Sequence, residues 1–71
     1  MNADEWLSAY ADKLGTDPPT QTEIDDALAV ASVAAHASQR SAAPLACWMA
    51  AKAGVSLDQA LALARSIAAE P

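Results

Sequence analysis

Residues 20–40 read TQTEIDDALAVASVAAHASQR, and this stretch decides the fold class. A threonine, Thr20 or Thr22, opens it and can cap a helix, and three acids, Glu23, Asp25 and Asp26, follow in the first turn, where carboxylates complement the positive end of the helix dipole. Ile24, Leu28, Ala31 and Ala35 then recur at helical spacing, with Val30 and Val33 lying off that line. The apolar face is therefore wide, which predicts a central helix over about 23–39, touched on more than one side.

Outward from this segment the pattern repeats. Asn2 and Glu5 have the spacing of a capping box, Trp6, Leu7, Tyr10 and Leu14 form one stripe, and Gly15 supplies a left-handed stop, so a first helix is expected over about 3–14. Asp17-Pro18-Pro19 lies at the heart of a loop, because proline lacks the N–H a helix needs. After Ser41-Ala42-Ala43, Pro44 opens a third helix over about 44–53, with Leu45, Trp48 and Met49 as its stripe and Gly54 as its end. Ser56 and Gln59 start a fourth over about 57–69, with Leu57, Leu61, Ala64 and Ile67 inward and Ala60 and Leu63 flanking. The sequence thus predicts an all-α fold, a compact bundle of about four short helices in one domain spanning 1–71. Twenty alanines demand close helix approach, because alanine is the best helix former but buries little area. On this reading Trp6, Tyr10, Ile24, Leu28, Leu45, Trp48, Leu61 and Ile67 supply most of the hydrophobic drive.

Composition excludes several functions. The chain has 71 residues and a formal net charge of −5. Its four cations, Lys13, Arg40, Lys52 and Arg65, are spread along it, whereas a nucleic-acid backbone or an anionic membrane surface calls for a clustered basic face. No uncharged run is long enough to cross a bilayer, and the acidic start lacks the layout of a signal peptide, so a cytoplasmic location is expected. Cys47 is the only cysteine, which rules out a disulfide within the chain. A core of this size leaves about 3–5 kcal/mol of net stability, so good packing, self-association or both must supply the rest.

The polar residues yield no catalytic set, no metal set and no cofactor site. Cys47 and His36 lack the orienting third group that a thiol nucleophile needs, and two soft ligands fall short of a zinc site. Asp25 and Asp26, adjacent on a helix, diverge by about 100° and read as a solvated first turn. One corner stands apart. His36 and Arg40, four residues apart, share a face if the helix runs through both, and Ser41 follows just before a helix N-terminus. That arrangement suits an anion or a partner's acid. The plainer reading is a helix C-terminus with its usual cation. Trp48 is the candidate partner anchor, since tryptophan is enriched at binding hot spots. Trp6 and Trp48 are otherwise expected to be structural.

The segment Ala35-His36-x-Ser38-x-Arg40-x-Ala42-Ala43-Pro44-Leu45, with Trp6-Leu7 and Ala51-x-Ala53-Gly54, resembles a small helical domain of actinobacteria. In that family the domain occurs alone or attached to a molybdenum-cofactor guanylyltransferase of the MobA type. The resemblance spans about Trp6 to Ala68 and implies a context near molybdenum-cofactor biosynthesis, not the transferase activity. The enzyme's Gly-rich nucleotide loop is absent, and 71 residues cannot hold its α/β fold. The expected function is a non-catalytic helical accessory or protein-interaction module, with a second copy or a molybdenum-cofactor enzyme as partner. The alternative is a small anion- or nucleotide-binding module at His36, Arg40 and Ser41.

Overall fold

A computed structural model describes residues 1–70. Four helices follow in order: α1 (Ala3–Leu14), α2 (Gln21–Ala37), α3 (Ala42–Ala53) and α4 (Leu57–Ala68). No strand occurs among the described residues, and the all-α bundle is as the sequence predicts.

Local chemistry sets the ends. The Asn2 side chain accepts the Glu5 N–H at 2.8 Å and opens α1. Thr20, not Thr22, caps α2 in a complete capping box. The Glu23 N–H donates to Thr20 Oγ1 (3.2 Å) and the Thr20 N–H donates to Glu23 Oε1 (2.8 Å). This pair starts α2 at Gln21, two residues before the expected start. Gly15 and Gly54 close α1 and α3 with φ of 77° and 73°, in the left-handed region that glycine enters without cost from a Cβ.

The expected 23–39 helix also ends early. Ser38 leaves helical geometry (φ −141°, ψ −99°), and both its N–H (3.2 Å) and its hydroxyl (2.7 Å) donate to the Ala34 carbonyl. That pair of hydrogen bonds satisfies the Ala34 carbonyl at the end of α2 and turns the chain. The third helix correspondingly starts at Ala42 rather than Pro44. Proline is tolerated there because the N–H groups of a first turn have no intrahelical partner in any case. The fourth helix ends at Ala68, one residue short of the expected 69.

Helix α2 is central, as its wide face predicts, packing against both α3 and α4, while no other pair of helices makes comparable contact. Helix α1 lies at the edge, resting through Leu7 near Ile24, Ala27 and Leu57.

The fully buried positions hold small residues, while of the larger groups expected inside Leu7, Ile24, Leu57 and Leu61 are half-buried. The buried hydrophobic residues are Ala11, Val30 and Ala60, and Val30, placed off the buried line by its spacing, is the most buried at 2% exposure. Trp6, Tyr10, Leu28, Leu45, Trp48, Met49, Leu63 and Ile67 are all exposed. In α3 the half-buried residues are Ala42, Ala43, Ala46, Cys47 and Ala50, whereas the expected stripe of Leu45, Trp48 and Met49 faces outward. The reason is steric. Helices that meet through alanine approach closely, and the thiol of Cys47 reaches the Ala27 carbonyl of α2 at 3.6 Å. Bulky groups on the same seam would hold α3 off α2. The two tryptophans, at 52% and 61% exposure, are therefore surface residues.

Candidate functional site

The His36 corner is less concentrated than the sequence suggests. His36 lies in the last turn of α2, but Arg40 lies beyond its end, so the two do not share a helix face. The Nδ1 of His36 is held by its own helix, 2.8 Å from the Ser32 carbonyl and 3.1 Å from the Ser32 hydroxyl. Ser41 precedes α3 in a helical conformation and makes no side-chain cap bond. The first donors of α3 are already bonded, Ala42 N–H to the Gln39 carbonyl (2.9 Å) and Ala43 N–H to the Arg40 carbonyl (3.1 Å), and Pro44 has none. His36, Arg40 and Ser41 are all exposed. An anion here would meet exposed side chains without the free backbone N–H groups that make a helix N-terminus a binding site.

Cys47 and His36 are not brought together. Cys47 bonds Ala27, nine residues before His36 on α2, or about 13 Å of helix rise. No group of three or more metal-ligating side chains converges among the described residues. One carboxyl is displaced from its ordinary value: the Ser56 hydroxyl, assisted by N–H groups at the start of α4, holds Asp58 below it. Asp58 is fully exposed, and the shift marks a helix cap.

Apolar surface is what this fold presents. The chain exposes 5459 Å², whereas a globular monomer of 7.3 kDa exposes about 4,200 Å². Its radius of gyration is 12.9 Å, against about 11 Å for a typical domain of this length. Four hollows hold most of the exposed groups. Between α1 and α2, Leu7, Ile24, Leu28 and Leu57 line a cleft of about 400 Å³, rimmed by Asp17 and Glu23. On the outer side of α1, Trp6 and Tyr10 stack with ring centroids 4.9 Å apart. Between α3 and α4, a groove floored by Val30 is walled by Met49, Ala53, Leu63, Ala64 and Ile67. Beside it Trp48 lies under the Lys52 ammonium, 5.0 Å from the ring centroid.

Charge divides these surfaces. Up to Ser38 the chain has seven acids against Lys13 alone, a net −6, while beyond it Arg40, Lys52 and Arg65 outweigh Asp58 and Glu70 by one. The sequence carried two signals for the exposed faces. Lys52 follows Trp48 by four residues and Lys13 follows Tyr10 by three, so each aromatic stripe also bears a cation. On α2, Gln21 and Asp25 (2.8 Å) and then Ser32 and His36 place Leu28 within a polar face.

The fold and these surfaces define a small all-α domain with apolar hollows on two sides and opposed charge in its two halves. The chain belongs to the family described as Domain of unknown function (DUF6457), whose pattern matches residues 1–70. That match covers the residues on which the resemblance rests and carries with it no activity, ligand or partner. No curated protein and no solved structure is similar enough to match the chain.

Proposed function

We propose that this domain is a non-catalytic, helical protein-interaction module, an accessory to a partner protein in molybdenum-cofactor biosynthesis. One observation carries the reading. Roughly 1,300 Å² more surface is exposed than a globular monomer of this mass presents, and Trp6, Leu28, Trp48, Met49, Leu63 and Ile67 are each about half exposed or more. Large apolar groups left exposed together on a small domain mark binding surfaces. The engagement of Cys47 with Ala27 and of His36 with Ser32 supports a role without nucleophilic chemistry. The molybdenum-cofactor setting rests on the family resemblance alone.

The test is direct. Light scattering of the purified chain, alone and mixed with the molybdenum-cofactor guanylyltransferase of the same organism, should show association, with calorimetry giving the affinity. A chain that stays monomeric up to millimolar concentration and gives no heat with the enzyme refutes the reading.

A further inference from the structure

We infer that the α3–α4 face seats a second copy of this chain, giving a two-fold homodimer. The inference rests on the interaction-module reading and names a partner for it. The face carries both large and small apolar groups. Met49, Leu63 and Ile67 are large and exposed, while Ala53 and Ala64 leave hollows between them. Knobs and holes on one patch are what a two-fold axis requires, because each copy must supply both. Met49 and Ala53 also border the hollow beside Trp48, so the apolar surface runs without a break from the groove to that ring.

Area and charge select this occupant and this face. A standard interface removes about 800 Å² from each partner, and this face offers four large apolar groups, Trp48, Met49, Leu63 and Ile67, each more than half exposed. Residues beyond Ser38 carry a net charge of only +1, so two α3–α4 faces meet with little repulsion. The α1–α2 cleft is the rival. Its rim residues Asp17 and Glu23 sit in the half that carries −6, and pairing it with itself would set like charges face to face. That cleft suits a partner of different charge.

Sedimentation equilibrium of the full chain should give twice the 7.3 kDa mass at micromolar concentration. Met49→Glu and Leu63→Glu change exposed positions, so far-UV circular dichroism should be unaltered. Each should raise the dimer dissociation constant about 100-fold or more, because an unpaired carboxylate would be buried. Leu28→Glu, in the other cleft, should leave it unchanged. Isotope-filtered NOEs in the unmodified protein should link the Met49 methyl of one copy to Leu63 or Ile67 of the other, which decides the matter even if a variant misfolds. A monomer throughout, or a dimer indifferent to both glutamates but lost with Leu28→Glu, overturns the inference. A monomer that still binds the guanylyltransferase overturns it while leaving the module reading intact.

Discussion

Val30→Ala should destabilise the monomer more than Ile67→Ala, although the second substitution removes more carbon. Val30 is 2% exposed and sits on the central helix. Deleting two buried carbons at about 0.8 kcal/mol each gives about 1.6 kcal/mol. The cavity left between close-packed helices raises this to about 2–3 kcal/mol. Ile67 is 66% exposed, so its three carbons lose only about a third of their transfer energy, about 0.8 kcal/mol. Against a net stability of about 3–5 kcal/mol the difference is large. With a urea dependence of about 1 kcal/mol per molar, the midpoint should fall by about 2–3 M for Val30→Ala and by less than about 1 M for Ile67→Ala. Urea titrations followed by circular dichroism, at protein concentrations low enough to keep the chain monomeric, measure this. An Ile67→Ala loss equal to or larger than that of Val30→Ala under those conditions would refute the packing argument. At high concentration the Ile67→Ala loss should grow and the Val30→Ala loss should not, because only Ile67 gains cover in the dimer.

Thr20→Ala removes one half of the capping box and should cost about 1 kcal/mol, with faster amide exchange confined to the first turn of α2. Gly54→Ala meets no atom within 4 Å, so its cost is the left-handed backbone alone, about 1–2 kcal/mol by urea denaturation. The folded state lowers the Asp58 pKa, so its contribution to stability is present above the unfolded pKa and fades as pH falls through the folded value. Ser56→Ala should move the Asp58 titration, followed by carboxyl NMR shifts, back toward 3.8. Inorganic phosphate up to millimolar concentration should leave the Arg40 and Ala43 amide resonances in place, because the Ala42 and Ala43 donors are already bonded; a saturable shift there would revive the anion reading.

The elements were legible in the sequence because their ends are written in short-range chemistry. Asn2, Gly15, Gly54 and Ser56 act within three or four residues, and α1 spans the expected residues. The end of α2 was not legible. Ser38 reaches back to Ala34, and a serine that bonds a carbonyl four residues earlier is compatible with either continuing or ending a helix. The inward face was misread for a related reason. In α3 both Leu45–Trp48–Met49 and Ala43–Ala46–Ala50 satisfy helical spacing, and side-chain size favours the first. Which stripe turns inward depends on what α2 offers, and α2 offers Ala27, Ala31 and Ala34, whose small side chains admit only a close neighbour. The same few residues bear on the candidate corner: α2 ends at Ala37, so Arg40 does not continue the helix face that carries His36.

An alanine seam with large apolar groups outside has a consequence for how this domain keeps its fold. The seam sets helix geometry but removes little area from water, so the isolated chain gains little from burial. The outward groups hold the larger share of apolar area, and their contribution is realised only when a partner covers them. Binding to the folded state alone stabilises it by mass action. Folding and association should therefore be coupled more tightly here than in a domain whose leucines and tryptophans are already inside. The measurable sign is a melting temperature that rises with protein concentration in the unmodified chain and is independent of concentration in Leu63→Glu. If the two chains melt alike at every concentration, the outward groups of α3 and α4 contribute nothing through self-association, and the fold is held by its alanine seam alone.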